Sequence, residues 1–158
     1  METNEAIEYR SKFNGLYKEC EDIYRCSAKI LGISECAMWV LSILSEQEFP
    51  PTQRQLCEQL SQPKQTIHST IASLEKQGLV RLSPVAGNRK EKQVVLTADG
   101  KQYIAIKIKP LINVEQEIFI EMGKKDSNEY LRLMQKYITI YRTRMESVLQ
   151  AMQTNQES

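Results

Sequence analysis

His68 is the single histidine in a sequence of 158 residues, and it stands in the run Lys64-Gln65-Thr66-Ile67-His68-Ser69. A metal centre or an acid-base pair needs partners for that imidazole, and the sequence does not supply them at ligand spacing. The four cysteines, Cys20, Cys26, Cys36 and Cys57, contain no C-x-x-C pair. Neither a zinc framework nor a disulfide scaffold is expected, and they read as reduced thiols. No G-x-S-x-G or phosphate-binding glycine loop is present, so an enzyme reading is poorly supported and no cofactor or metal is expected. What the run around His68 does offer is hydrogen-bonding groups within one helical turn. A Gln65 amide suits adenine, a Ser69 hydroxyl suits any base edge, and His68 suits a base or a phosphate.

Such groups are useful only on a free surface. Placed on a helix at about 100° per residue, Ile67, Ile71 and Leu74 fall within roughly 60° of one another and must form the buried stripe. Gln65, His68, Ser69, Ala72 and Lys76 then share the opposite face. That face has no large apolar side chain to obstruct entry into a major groove about 12 Å wide. Lys64 and Thr66 flank it, and Thr52 and Arg54, at the start of the preceding helix, are expected phosphate contacts.

The charge distribution agrees. The net charge is only +1. Between residues 50 and 110, however, ten Lys and Arg face four acidic residues, a surplus of six, so the rest of the chain carries a deficit of five. A basic middle between acidic ends is the pattern of a module that contacts phosphates.

The elements that must hold these residues are short and tightly joined. Residues 5 to 31 carry apolar residues at helical spacing up to Gly32, and Ser34 suits the N-cap of a second helix that is apolar on every side. FPP at 49 to 51 ends it. Thr52 caps a third helix expected to bury Leu56, Cys57 and Leu60, and Pro63 opens a fourth running to about Gln77, with Gly78 at its stop. Two β-patterned stretches follow, LVRLSP (79 to 84) and QVVLT (93 to 97), joined by the basic connector VAGNRKEK. Helix, helix, recognition helix, hairpin is the order of a winged helix-turn-helix. The hairpin tip, with Asn88, Arg89 and Lys90, is expected to reach the neighbouring minor groove or backbone.

From Thr97 the helical period returns and continues past Pro110, which is expected to bend it. Gly123 closes that segment. Asp126 is expected to open a last helix to about Met152, with Glu129 as a reciprocal capping partner. Its stripe runs through Tyr130, Leu133, Met134, Tyr137, Ile138, Tyr141, Met145, Val148, Leu149 and Met152. A winged module of about 65 residues cannot cover so much apolar surface, so a homodimer is expected. Pairing would set two recognition helices about 34–36 Å apart, on a pseudo-palindromic duplex.

The fold class expected is therefore mainly α with a small β-hairpin wing: a winged helix-turn-helix with long N- and C-terminal dimerisation helices. The expected divisions are an N-terminal dimerisation helix (1–33), the DNA-binding module (34–98) and C-terminal dimerisation helices (99–158). No stretch approaches the roughly 18 apolar residues of a membrane span, and the N-terminus METNEAIEYRSK lacks the order of an export signal. A cytoplasmic protein with no membrane partner is expected.

QPKQTIHSTIASLEKQGLVRL and GNRKEKQVVLTADG resemble the recognition helix and wing signature of the multiple antibiotic resistance regulator (MarR) family, with small hydroxyl residues ahead of L-x-x-L-E-x-x-G-L-V and an L-T-x-x-G close. Asn88 and Lys90 stand where the signature has Asp and a second Arg, which leaves Arg89 as the only guanidinium at the wing tip. The resemblance implies a bacterial, homodimeric, sequence-specific transcription regulator on double-stranded DNA, expected to be a repressor released by a small phenolic or lipophilic effector. Tyr17, Tyr24, Met38 and Trp39 are candidates for lining an effector cavity, although core packing is the alternative for each. Two other readings stand beside it: a winged-helix protein-interaction scaffold without DNA binding, and a thiol-based redox-sensing regulator using Cys20 or Cys26, with Arg25 beside Cys26 as its one sequence hint.

Overall fold

The computed structural model describes residues 2–85 and 87–154; of residues 88–90 it describes the backbone and not the side chains. The chain forms two compact units, Met1–Ile112 and Asn113–Ser158.

In the first unit α1 spans Thr3–Leu31. Gly32 stops it with a left-handed φ of 69°, while the Ile33 N–H reaches back to the Ala28 carbonyl at 3.1 Å, the six-residue bond of a Schellman stop. The chain turns through 86° into α2, Glu35–Glu46. Ser34 caps α2 as its type suggests, its Oγ accepting from the Ala37 N–H at 3.1 Å. Met38, Val40, Leu41 and Leu44 are buried, and Trp39 and Ile43 half-buried, so this helix is covered on most of its circumference. Thr52 and Gln55 close a reciprocal capping box on α3, Gln53–Leu60. Only Leu56 of that helix is fully buried, and Cys57 and Leu60 lie half-exposed at the margin. Ser61, at φ 49°, makes the joint to α4, Lys64–Lys76, with Pro63 as its N-cap.

Strands β1 (Val80–Val85) and β2 (Asn88–Leu96) pair antiparallel, from Val80 opposite Leu96 to Pro84 opposite Lys92, and close with Val85 opposite Asn88. The hairpin is longer than its sequence pattern suggests. Asn88 to Lys92, read above as connector, belong to β2, because backbone ladder bonds do not depend on apolar alternation. Ala86 of that connector lies outside the described residues. Pro51 and Thr52 add a short third edge: the Val94 N–H donates to the Pro51 carbonyl at 2.8 Å, and Thr52 bridges Gln93.

Thr97 joins the wing to the next helix, α5, Ala98–Tyr103. Its Oγ1 accepts from the Gly100 N–H at 2.9 Å and donates to the Gly78 carbonyl at 2.6 Å. A wide π-turn, Ile104–Ile108, then leads into α6, Lys109–Thr154. The disturbance expected from Pro110 falls before it. Its ring and missing N–H conflict with the carbonyl four residues earlier, and the π-turn relieves this by passing the Lys109 N–H to the Ile104 carbonyl, five back. The Tyr103 hydroxyl donates to the Leu31 carbonyl at 3.2 Å, tying this segment to the end of α1, and burial pushes its pKa up.

The core of the first unit joins Leu41, Leu56, Ile67, Ile71, Leu74, Val94 and Ile108, each almost without solvent contact. At roughly 1.5–3 kcal/mol per large side chain, this cluster dominates the module's stability. The rest of α1 is different. Tyr9, Leu16, Ile23 and Ile30 recur every seven residues, and all are exposed, Ile30 at 85%.

In the second unit Gly123 breaks the helix with φ 73° and ψ 160°. Helix resumes directly after it rather than at Asp126, and the Ser127 hydroxyl takes up the Phe119 carbonyl at 3.1 Å. Glu129 is not a capping partner. Both its oxygens accept from Arg132, at 2.8 and 2.7 Å, because a guanidinium three residues on offers a fork that fits a carboxylate. Those bonds hold the Glu129 carboxyl below its ordinary range. Tyr130, Leu133, Tyr137, Tyr141, Val148 and Met152 are all exposed. Among the described residues no single helix is long and apolar enough to cross a membrane.

Candidate nucleic-acid interface

Helix α4 divides as its sequence requires. Ile67, Ile71 and Leu74 are buried, joined by Thr70, while Gln65, His68, Ser69, Ala72 and Lys76 are exposed. The cause is the spacing: three branched aliphatics on one flank pull the helix against α2 and α3, and that fixes which residues remain outside. The Ser69 hydroxyl donates to the Thr66 carbonyl at 2.9 Å, so its oxygen lone pairs are what it presents outward.

The capping box on α3 sets Thr52 and Arg54 beside the start of α4. Thr52, Gln53, Arg54, Lys64, His68, Leu82, Glu91 and Lys92 line one open cleft of about 300 Å³ between the two helices and the wing. Three of its eight residues carry a full positive charge. Arg54 also pairs with Glu58 at 3.1 Å, with both side chains largely exposed. Such a pair is worth at most about 1 kcal/mol and leaves the guanidinium available to a stronger anion.

Of the residues expected at this surface, Thr52, Arg54, Lys64 and His68 share the cleft, Gln65 and Ser69 lie on the open face, and Lys76 is exposed at the far end of α4. Thr66 is half-buried. The side chains of Asn88, Arg89 and Lys90 lie outside the described residues. Gln53 and Lys92, which line the cleft, were missed. Lys92 was legible as part of the basic connector, but its place opposite Pro84, which turns it toward the cleft, depends on strand register.

The other candidates do not gather in the same way. Tyr24 packs on Trp39 with ring centroids 4.6 Å apart, and Met38 is buried in the core. Tyr17 is exposed and stacks on Phe13. Trp39 lines a shallow cleft of about 320 Å³ with Cys36 and Leu60, to which Tyr17, Tyr24 and Met38 do not contribute. A larger cleft, about 470 Å³, lies elsewhere in this unit. Leu44, Phe49, Pro50, Leu96 and Ile104 form much of its wall, and Lys101 and Lys109 line it too. Cys20 and Cys26 are exposed free thiols, Cys36 and Cys57 half-buried ones. Arg25, the residue that hinted at an activated Cys26, is paired with Asp22. Among the described residues no group of three or more His, Cys, Asp or Glu is placed to hold a metal ion.

A three-helix unit with its third helix outward and a two-stranded hairpin beside it is a winged helix-turn-helix. Residues 31–91, from the end of α1 into β2, match the model of the MarR family. No curated protein matches the sequence. Among solved structures, AbsC, a MarR family transcriptional regulator from Streptomyces coelicolor, superposes with a TM-score of 0.72 at 18% identity over 90% of this chain and 97% of its own. MepR of S. aureus, in a complex with DNA, gives 0.68 at 16% identity over 84% and 97%. The transcriptional regulator BldR from Sulfolobus solfataricus gives 0.66 at 20% over 88% and 99%. At these identities the likeness is one of fold.

Proposed function

We propose that this protein is a homodimeric, sequence-specific DNA-binding transcription regulator, acting as a repressor that a small ligand releases. The observation that carries the reading is the cleft that joins Arg54, Lys64, His68 and Lys92 beside the open polar face of α4. Cations at the cleft neutralise phosphates and fix register, while Gln65, His68 and Ser69 meet base edges. MepR, of the same fold, is solved in a DNA complex, which favours the same use of the fold here.

The dimer is supported by the exposed seven-residue repeat on α1 and, in the second unit, by the exposed apolar stripe of α6. Surfaces of that kind are rare on monomers. For the effector, the cleft lined by Phe49, Leu44, Leu96 and Ile104 is favoured over the aromatic group on α1 and α2, since these apolar residues share one space of about 470 Å³ whereas Tyr17, Tyr24 and Met38 do not line the cleft at Trp39. Arg25, the cation that hinted at an activated Cys26, is engaged by Asp22, which takes away the one sequence hint for the thiol-switch reading.

The test is fluorescence anisotropy on duplexes drawn from the DNA flanking the coding sequence, at several salt concentrations. Selective binding, weakening steeply as salt rises, is expected. Absence of binding at low salt would overturn the reading and leave the protein-interaction scaffold.

A further inference from the structure

Pro84 has no N–H, so its pairing with Lys92 belongs to the class in which opposed residues exchange no ladder bonds. These classes alternate along an antiparallel pair, so Leu82 opposite Val94 is of the same class, and both their N–H groups point outward from the hairpin. The Val94 N–H is taken by the Pro51 carbonyl. The Leu82 N–H is taken by a side chain: Glu75 Oε1 of α4 accepts it at 3.0 Å. At 100° per residue Glu75 falls on the same flank of α4 as Lys64 and His68, and Leu82 lines the cleft with them.

We propose that Glu75 is a positioning residue that moors the wing to the recognition helix, so that α4 and the hairpin present their contacts to DNA in one fixed relation. This deepens the DNA-binding reading and rests on it. An acidic side chain beside a polyanion site is otherwise unfavourable, since it repels phosphate. Its value lies in the acceptor oxygen it presents to a strand edge. The bond is exposed, so water replaces it when it is lost, and the effect is expected in the relation of wing to helix rather than in the fold.

Electrostatics and mooring give opposite predictions. Removing the charge alone, through Glu75→Gln, keeps an acceptor for the Leu82 N–H. Glu75→Ala removes both. If Glu75 acts only through its charge, both variants bind DNA more tightly than the parent. If it moors the wing, Glu75→Gln binds at least as tightly as the parent and Glu75→Ala about tenfold more weakly. Amide hydrogen exchange at Leu82 in the free protein supplies a readout without DNA: it should accelerate in Glu75→Ala and stay near the parent rate in Glu75→Gln, with thermal midpoints little changed. Equal Leu82 exchange in all three proteins overturns the mooring, and so does faster exchange in Glu75→Ala with undiminished affinity. A parent protein that binds no duplex overturns the DNA-binding reading instead, and Leu82 exchange then still decides whether Glu75 holds the wing.

Discussion

The backbone of Gly100 lies against the carbonyl of Leu79 so closely that a Cβ at residue 100 would overlap the Leu79 oxygen. The same carbonyl accepts the Thr97 N–H at 3.1 Å, so it is held between the end of the hairpin and the first turn of α5. Neither partner is a flexible side chain that can swing aside. Gly100→Ala should therefore cost about 1–3 kcal/mol or more, as overpacking of a rigid contact does. Urea unfolding followed by circular dichroism checks it, and an unchanged midpoint would contradict the close approach.

Ser61 holds a left-handed conformation at the joint between α3 and α4, and the Gln62 N–H closes the turn onto the Cys57 carbonyl at 3.0 Å. Glycine takes that conformation without a Cβ penalty. Ser61→Gly is expected to raise stability by about 0.5–1 kcal/mol, measured as a higher denaturation midpoint, with no change in DNA affinity.

Arg54, Lys64 and Lys92 line the cleft and are proposed above as phosphate contacts, whereas Gln65 is exposed on the open face of α4. Replacing any of the three cations by alanine should weaken binding to all duplexes alike and lower the slope of log affinity against log salt by about one. Gln65→Ala should instead change the order of preference among duplexes, with a loss of about 1–3 kcal/mol on the best site. Anisotropy titrations against a set of single-base variants separate the two patterns. Identical profiles for Lys64→Ala and Gln65→Ala would remove the division of labour.

The Tyr103 hydroxyl gives its hydrogen to the Leu31 carbonyl, and burial raises its pKa above the ordinary value near 10. The folded state thus holds the proton more tightly than the unfolded one. The stabilisation is complete below the unfolded pKa and is lost as pH climbs from about 10 through the folded pKa. Thermal midpoints should fall over that alkaline window in the parent more steeply than in Tyr103→Phe, which at neutral pH should be less stable by about 0.5–1.5 kcal/mol. Parallel alkaline profiles would show that the titrating group lies elsewhere.

Leu16 and Ile23 sit mid-way along the exposed repeat of α1. If a second copy covers that repeat, Leu16→Glu with Ile23→Glu should yield a monomer in sedimentation velocity, while the winged module, whose core uses neither residue, stays folded. A monomeric parent protein would refute the dimer at once.

Local rules were enough for much of this architecture. Ser34, Thr52, Gly32 and Gly78 mark helix ends by their chemistry, and Ile67, Ile71 and Leu74 mark the inner face of α4 by their spacing. Both signals act within a few residues. They were less reliable where two chemistries compete at one position. Glu129 suits a capping box, yet Arg132 offers it two stronger, charge-assisted bonds. Pro110 suits a kink, yet a π-turn upstream absorbs the misfit.

The sequence by itself determined the order of elements, the face of α4 that must turn inward and hence the polar face left outside, because helical period and end-capping are short-range effects. Only the tertiary structure decided that Lys92 meets Arg54, Lys64 and His68 in one cleft, that Glu75 reaches the Leu82 amide, and that Tyr17 stands apart from Trp39. Those relations depend on strand register and on how one element lies against another. Packing of the whole core sets both, and no stretch of neighbouring residues encodes either.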